Sequence, residues 1–261
     1  MTKINYHTHH YLCRHASGNV DDYVLEAIKN GYKILGMSDH GPLPCEPPFE
    51  RMSYKEFEEI YLKQIEDAKT KYQNKLQILK GLEIEYIYNY DSFYKDLLTK
   101  VDYLILACHY YSGDELTMKY KGAGNVNDSS KLEEYTDLAV AALNTGYFKI
   151  FAHPDIFMTS YPYFDSHAKE CSKRIIEAAI KNNVVLEFNA NGLRKGKRKF
   201  ENGDEDYSYP CKNFWNLVNE MNALVTIGSD CHEPKLLHDD YVELSIELVK
   251  NYKLNIVKTI F

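Results

Sequence analysis

Short apolar segments of strand length recur seven times along this 261-residue chain, and helix-like stretches separate them. Residues 20–30, 54–72, 131–144, 171–181 and 214–221 space their apolar side chains as amphipathic helices do. This alternation predicts a parallel sheet covered by helices, and barrels of this kind reach this length as one domain, here expected over 1–261. The seven segments are KINY, KILGMSD, LQILKGLEIE, YLILACHY, FKIFAHPD, VVLEFNAN and LVTIGSDCH.

Polar side chains, many of them able to bind metals, lie at or just after the ends of these segments. The carboxyl ends of parallel strands meet at one face of a closed barrel, whereas an open sheet gathers only the strands beside its crossover point. The pattern therefore favours an α/β fold of the distorted (β/α)7 TIM-like barrel type over an open doubly wound sheet. The residues are His7, His9, Asp39, His40, Glu83, Glu85, His109, His153, Asn189, Asp230 and His232.

The composition narrows the class of protein. With 44% hydrophobic residues and no low-complexity tract, the chain can bury a core. The net charge of −7 disfavours a nucleic-acid-binding surface, which needs an excess of Lys and Arg. The sequence has no apolar run of membrane-spanning length, no apolar signal core in residues 1–6 and no CxxC pair among its six cysteines. These features predict a cytoplasmic protein with reduced thiols and with neither a membrane nor a nucleic-acid partner.

The histidines fit a multinuclear metal site. In HTH, His7 and His9 share one face of a strand because side chains alternate, although an isolated HxH pair is as often incidental. Glu83 lies inside an otherwise apolar strand, where it is either a salt-bridged carboxylate at the rim or a ligand that bridges two metals. Asp230 and His232 again share a face. A nitrogen and oxygen set without thiolate suits two or three divalent ions of Zn, Mn or Fe(II).

A basic run follows the sixth segment, within a long loop. A solvated loop explains any single member of the run, but as a group these side chains could neutralise a phosphate, for which arginine is the better bidentate partner. Another long loop follows the second segment, and both loops are expected to line or cover a pocket. The run comprises Arg194, Lys195, Lys197, Arg198 and Lys199.

Taken in order, these motifs resemble the PHP (polymerase and histidinol phosphatase) superfamily, and within it the histidinol-phosphate phosphatase branch. The likeness spans nearly the whole chain. The ligand motifs are specific as a set, and HTHHYLCRHASG and EFNANGLRKG resemble the histidinol phosphatase branch in particular. The motifs are HTH at 7–9, His15, SDH at 38–40, Glu83, CHY at 108–110, AHPD at 152–155 and SDCH at 229–232.

The resemblance implies a distribution of ligands over three divalent ions and a reaction. The reaction is hydrolysis of a small phosphorylated substrate, L-histidinol phosphate, to L-histidinol and phosphate in histidine biosynthesis. Asp230, His232 and Glu83 would act at the reacting centre. The phosphate-binding candidates are Arg194, which comes first, Lys195, Lys197 and Arg198. The implied ligands are His7, His9, Glu83 and Asp230 for one ion, the bridging Glu83 with His109 and His153 for the second, and His15, His40 and His232 for the third.

Three other classes of protein remain open from the sequence. An amidohydrolase also begins with HxH and ends with an aspartate, but typically bridges its metals with a carboxylated lysine, whereas Glu83 is better placed here. Another phosphoesterase of the same superfamily, such as a nucleotide phosphodiesterase or a protein-tyrosine phosphatase, would keep the fold and change the substrate. A non-enzymatic metal-binding protein would more typically show a closed, four-coordinate site. The sequence leaves the oligomeric state open.

Overall fold

Parallel strands form at all seven apolar segments. The computed structural model describes residues 3–47 and 49–260, so residues 1, 2, 48 and 261, including part of the segment taken to lack a signal core, lie outside the described chain. The seven strands are β1 (Ile4–Asn5), β2 (Ile34–Met37), β3 (Gln77–Glu85), β4 (Tyr103–Ala107), β5 (Ile150–Phe151), β6 (Val185–Asn189) and β9 (Leu224–Gly228).

Three further strands were not expected. The long loop after β6 contains an antiparallel hairpin of β7 (Lys197–Lys199) and β8 (Glu205–Tyr207). A short eighth strand of the main sheet, β10 (Asn255–Ile256), pairs with the beginning of β9. Each is only two or three residues long, which is too short to produce a periodic signal in the sequence.

The helices lie outside the sheet, and acidic or amide side chains cap several of them. Asn19 and Asp22 form a capping box at the start of α1, and Asp165 caps α6 by accepting a hydrogen bond from the backbone of Ala168. A π-helical turn at Phe57–Tyr61 joins α2 to α3. The helices are α1 (Val20–Lys29), α2 (Tyr54–Glu56), α3 (Leu62–Tyr72), α4 (Asp91–Lys100), α5 (Ser129–Asn144), α6 (Ser166–Lys181), α7 (Ala190–Arg194), α8 (Lys212–Glu220) and α9 (Asp240–Asn251).

The main sheet has the order β1-β2-β3-β4-β5-β6-β9-β10, and its neighbouring strands are all parallel. The sheet curls, so that the chain just after β1 meets the chain just after β9. A parallel bridge joins Thr8 to Cys231 there, and Asp230 N donates to His7 O over 3.0 Å. This seam, formed by residues 7–9 and 230–231, closes the curled sheet at the carboxyl end of its strands.

A separate apolar cluster fills part of the sheet interior. Tyr103 is fully buried, and its hydroxyl donates to Tyr6 O over 2.5 Å. Glycine makes room for this ring on two neighbouring strands, since a Cβ at Gly36 would lie 1.9 Å from the Tyr103 hydroxyl and one at Gly81 would lie 2.3 Å from its Cζ. The interior is therefore packed with side chains rather than open as a pore.

None of the helices in residues 3–47 and 49–260 is both long and apolar enough to cross a membrane.

Candidate active site

The fold brings the nine predicted metal-binding residues to the carboxyl end of the curled sheet. Eight of them belong to strand ends: His7 and His9 follow β1, His40 follows β2, Glu83 lies in β3, and the others follow β4, β5 and β9. His15 follows a 3₁₀ turn at Tyr11–Cys13 instead. Because parallel strands end at one edge, residues more than 200 positions apart in the chain lie in contact. The nine are His7, His9, His15, His40, Glu83, His109, His153, Asp230 and His232.

Glu83 lies at the centre of this cluster. Its carboxylate is fully buried and faces five imidazoles. Its Oε1 lies 3.1 Å from His153 Nε2, and its Oε2 lies 2.9 Å from His40 Nδ1. The other contacts are with His7 Nε2 at 3.4 Å, His9 Nε2 at 3.5 Å and His109 Nε2 at 3.8 Å. A carboxylate in this position can supply each of its oxygens to a different cation.

A second group forms across the seam. His7 Nε2 lies 3.0 Å from His9 Nε2, and His9 Nε2 lies 3.0 Å from Asp230 Oδ1. Asp230 has a φ of 46° and His153 a φ of 33°, a left-handed backbone that non-glycine residues adopt at a cost. Strain of this kind is typical of residues held for function.

The outer part of the cluster contains His15, His40 and His232. The rings of His15 and His232 stack with centroids 5.0 Å apart, and His232 also stacks on His9 at 4.2 Å. Cys13 is buried, and its Sγ lies within 4.8 Å of ligand atoms of His15 and His232. The outer position therefore offers a thiol beside its imidazoles.

Buried carboxylates contact three of the imidazoles at Nδ1, the ring nitrogen that faces away from Glu83. Glu187 Oε1 lies 2.8 Å from His7 Nδ1, and Glu85 Oε1 lies 2.8 Å from His109 Nδ1. Asp39 contacts His9 Nδ1 at 3.2 Å and also contacts His10. His10 therefore touches the carboxylate that supports a predicted ligand. Such contacts orient a ligand imidazole and fix which of its nitrogens faces the metal.

Sequence reasoning missed Glu187 as a functional residue. It lies in β6 two positions before Asn189, on the same face of the strand, and Asn189 Nδ2 donates to Glu187 Oε2 over 2.8 Å and to Asp230 Oδ2 over 3.1 Å. The signal that could have found it is the one used for Glu83, namely a carboxylate inside an otherwise apolar strand.

Charge and burial perturb the pKa values of the cluster in opposite directions. Burial alone would lower the pKa of His7, but the carboxylates of Glu187, Asp230 and Glu83 outweigh it and raise that pKa well above the usual value. Burial, helped by the charge of His9, lowers the pKa of His232 to about 4. Burial would raise the pKa of Glu83, yet the surrounding imidazoles hold it well below the usual value. Metals bind neutral imidazoles and ionised carboxylates, so Glu83 and His232 are already in the required states, whereas His7 would release a proton when an ion binds.

The cluster fits divalent cations better than it fits hydrogen bonds among its own members. Glu83 Oε2 is buried and has no hydrogen-bond partner, although His40 Nδ1 is only 2.9 Å away. The nitrogens of His7 and His9 face each other and two carboxylates at the same point. Nitrogen and oxygen atoms with free lone pairs that are buried this close together are stabilised by a positive charge between them. A set of imidazoles with carboxylates suits zinc, manganese or iron(II).

A cavity of about 570 Å³ opens above the cluster. Phe49 and Tyr110 form part of its wall, with ring centroids 6.1 Å apart and planes inclined by 23°. Lys195 also lines it, with Nζ 5.1 Å from the centroid of Tyr209, another lining residue. Further lining residues outside the ligand set are Gly122, Ala123, Gly124, Ile156, Asn191 and Leu236.

The structure does not bring Arg194, Lys197 or Arg198 to this cavity, which corrects the ranking of the basic run. Arg194 pairs with Asp239 Oδ2 over 2.8 Å and donates to the carbonyls of Ser229 and Leu236. Arg198 donates to three backbone carbonyls at residues 158–161, and Lys197 lies over the ring of Tyr207 in a different groove. Lys195 is the member of the run that lines the cavity.

Fold and cluster together define a metal-binding α/β barrel with its ligands at the carboxyl ends of its strands. The family model of the PHP domain matches residues 5–191, and the chain therefore belongs to the PHP domain family. That segment contains seven of the nine clustered residues, and Asp230 and His232 follow it.

Curated relatives of similar length carry the name histidinol-phosphatase. A probable histidinol-phosphatase of Deinococcus radiodurans is 25% identical over 243 residues, covering 87% of this chain and 85% of the relative. The histidinol-phosphatase of Bacillus subtilis is 27% identical over 262 residues, covering 89% and 94%. A solved structure of histidinol phosphate phosphatase from Lactococcus lactis, complexed with zinc, L-histidinol and phosphate, has a TM-score of 0.75 at 18% identity, covering 98% of this chain and 95% of that one. This likeness confirms the expected distorted TIM-like barrel.

Proposed function

We propose that this protein is a metal-dependent histidinol-phosphatase, which hydrolyses L-histidinol phosphate to L-histidinol and phosphate. The observation that carries the proposal is the convergence of seven imidazoles, Glu83 and Asp230 at the base of an open cavity. The names of the relatives from Deinococcus radiodurans and Bacillus subtilis support the substrate. An open cavity above the ligands favours an enzyme over a purely structural metal site, which is usually closed.

The residues present fit two or three divalent ions. His7, His9 and Asp230 would hold one ion together with Glu83, while Glu83, His109 and His153 would hold a second. His15, His40 and His232 would hold a third, with Cys13 beside them. Ions held there would lower the pKa of a water molecule and offset the charge that develops on the phosphoryl oxygens.

The protein's own groups have separate tasks in this reaction. Glu187, Glu85 and Asp39 contact Nδ1 of their imidazoles and so keep Nε2 turned toward Glu83. Lys195 would bind a phosphoryl oxygen, because it is the one lysine or arginine that lines the cavity in the described chain. The stacked rings of Phe49 and Tyr110 offer an apolar surface to the planar imidazole of the leaving alcohol. Asp230 and His232 line the same cavity, so they would act at the reacting centre beside the ions that they hold.

We also propose that the protein acts in the cytoplasm on a small phosphorylated substrate and without a nucleic-acid partner. All six of its cysteines are free thiols, as is usual in a reducing compartment. The net charge of −7 disfavours contact with a phosphate backbone.

The test is steady-state phosphate release from L-histidinol phosphate, p-nitrophenyl phosphate and a nucleoside monophosphate, with enzyme reloaded with Mn, Zn or Fe(II). We expect kcat/KM of about 10⁴ M⁻¹s⁻¹ or more for histidinol phosphate, far above the other two, as is typical of a natural substrate. Equal and slow release from all three would reject the substrate and favour another phosphoesterase of the family. No release from any of them would reject the phosphatase.

Replacing Lys195 tests how the phosphate is held. We expect Lys195→Met to raise KM for histidinol phosphate roughly 10- to 100-fold, since a hydrogen bond to a charged group contributes about 1.5–3 kcal/mol. Lys197→Met is the matched control, because Lys197 lies two residues away but faces Tyr207 outside the cavity. Equal KM values in the two variants would remove Lys195 from the phosphate site.

A further inference from the structure

A second cluster of metal-binding side chains lies between α5 and α6, away from the strand ends. It consists of Glu133 on α5 with His167 and Cys171 on α6, which are one helical turn apart and so share a face. None of the three lines the active-site cavity. We call these three residues the α5–α6 cluster.

The three ligand atoms of the α5–α6 cluster lie at nearly equal distances from one another. Glu133 Oε1 is 3.3 Å from His167 Nε2, and Cys171 Sγ is 3.7 Å from each of these two atoms. Tetrahedral zinc, with bonds of about 2.0–2.3 Å to these atoms, places its ligands roughly 3.4–3.6 Å apart. The active-site ligands show the same spacing, with separations from Glu83 of 2.9 to 3.8 Å.

Hydrogen bonding explains this arrangement poorly. His167 Nε2 faces the Glu133 carboxylate and the Ser129 carbonyl, both at 3.3 Å, and the Cys171 sulfur at 3.7 Å. One imidazole nitrogen can donate at most one proton, and its two contacts with oxygen are long for a hydrogen bond. The Cys171 thiol can donate to Glu133 Oε1 over 3.7 Å as a weak hydrogen bond, but one cation would satisfy the lone pairs of all three groups at once.

The surroundings hold the ligands in place and leave a path for an ion. Cys171 is only 1% exposed, whereas the side chains of His167 and Glu133 are 32% and 42% exposed. Arg174 Nη1 donates to Glu133 Oε2 over 2.5 Å, which leaves Oε1 directed at the cluster. A carboxylate ligand supported in this way by a neighbouring donor is a regular feature of metal sites.

We propose that the α5–α6 cluster binds one zinc ion through Glu133 Oε1, His167 Nε2 and Cys171 Sγ, with the Ser129 carbonyl or a water molecule as fourth ligand. The Cys171 thiol gives up its proton to solvent when the ion binds, as thiolate ligation requires. The ion joins α5 to α6 on the outside of the barrel. Its role is structural, because the site is remote from the reacting groups.

Metal counting separates this ion from the active-site ions. The enzyme is saturated with manganese, exposed to zinc, freed of loose metal by gel filtration and analysed for both elements. We expect Cys171→Ser to retain one zinc ion fewer per chain than the parent, with phosphate release unchanged. Cys45→Ser is the matched control, because Cys45 is a partly buried thiol on the loop after β2, outside the cluster. An equal zinc content in Cys171→Ser and the parent would overturn the proposal.

Cobalt(II) in place of zinc gives a readout that does not depend on activity. We expect a thiolate-to-cobalt charge-transfer absorption in the near ultraviolet for the parent and for Cys45→Ser, and its loss in Cys171→Ser. His167→Gln serves if Cys171→Ser does not fold, since His167 is partly exposed and its loss should weaken the same absorption. Absorption that disappears in Cys13→Ser but persists in Cys171→Ser would belong to the active site and would refute the α5–α6 site.

Discussion

A single buried carboxylate behind His7 controls how that imidazole faces the metal centre. Glu187 is 1% exposed and contacts His7 Nδ1, so its charge favours the tautomer whose Nε2 is free to bind a metal. We expect Glu187→Gln, which keeps the size and removes the charge, to lower metal affinity or kcat/KM about 10- to 100-fold. Calorimetric titration of the metal-free enzyme with zinc measures the first quantity.

The control for this change is Glu177→Gln, which removes a charge from an exposed position on α6. It should leave both metal affinity and kcat/KM as they are. If Glu187→Gln binds zinc as the parent does, Glu187 is only a packing residue beneath Gly228, where an added Cβ would lie 1.7 Å from its Oε1.

At the scale of single residues, the sequence predicts the metal-binding side chains better than it predicts the side chains that orient them or bind phosphate. His7, His9 and Asp230 stand out because imidazoles and carboxylates interrupt or directly follow apolar strands. The choice between Arg194 and Lys195 could not be made in this way. Consecutive helical residues point about 100° apart, so two neighbouring cations at the end of α7 face different surroundings. Only the packing of α7 shows that Arg194 turns to Asp239 and Lys195 to the cavity.

At the scale of elements, Asp239 joins α7 to α9. It caps α9 by accepting from Val242 N and also receives two hydrogen bonds from Arg194. Burial raises the pKa of Asp239, but the hydrogen bonds and charge of Arg194 outweigh burial and hold the pKa below its usual value. A carboxyl with a lowered pKa in the folded state stabilises the fold above its unfolded pKa of about 4 and loses that effect as pH falls through the folded value.

We therefore expect Asp239→Asn to lower the free energy of unfolding by about 1–2 kcal/mol at pH 7, because asparagine keeps the cap but loses the ionic partner. The difference from the parent should shrink as the pH falls below about 4. Urea unfolding at several pH values measures it. Asp165→Asn at the cap of α6 is the control, since its partners are Ala168 N and the Tyr161 hydroxyl. A constant difference down to low pH would show that the Arg194 pair contributes nothing.

The elements that the sequence predicts are those with strong periodicity. The segment 20–30 is observed as α1 at Val20–Lys29, and 54–72 is observed as a helix with one π-helical turn. The helices α4 and α9 were not predicted. Residues 190–207 contain charged and small residues throughout, so α7 and the β7–β8 hairpin depend on tertiary contacts such as those of Arg198 with residues 158–161.

At the scale of the whole molecule, the metal centre and the closure of the barrel are the same region. The seam joins the first strand to the seventh through Thr8 and Cys231 and through the hydrogen bonds of His9 N and Asp230 N. Ligands lie on both sides of it, with His7 and His9 after β1 and Asp230 after β9. The sequence predicts the barrel but not that its closure depends on this seam. β10 pairs with the beginning of β9, and the first and seventh strands meet at their carboxyl ends, which the order of the segments does not show.

Ions bound across the seam should therefore stabilise the closed sheet. A metal that binds only the folded chain adds about 4 kcal/mol to the free energy of unfolding at a free concentration 1,000 times its Kd. We expect chelation to lower the denaturation midpoint and zinc or manganese to restore it. Bound metal should slow hydrogen exchange most at the amides of His9 and Asp230. These amides exchange when the seam opens, and opening the seam separates side chains that bind the same ion. Amides of β3 and β4 in the middle of the sheet are the internal control, and uniform slowing in both regions would mean that the ions stabilise the fold without holding the seam.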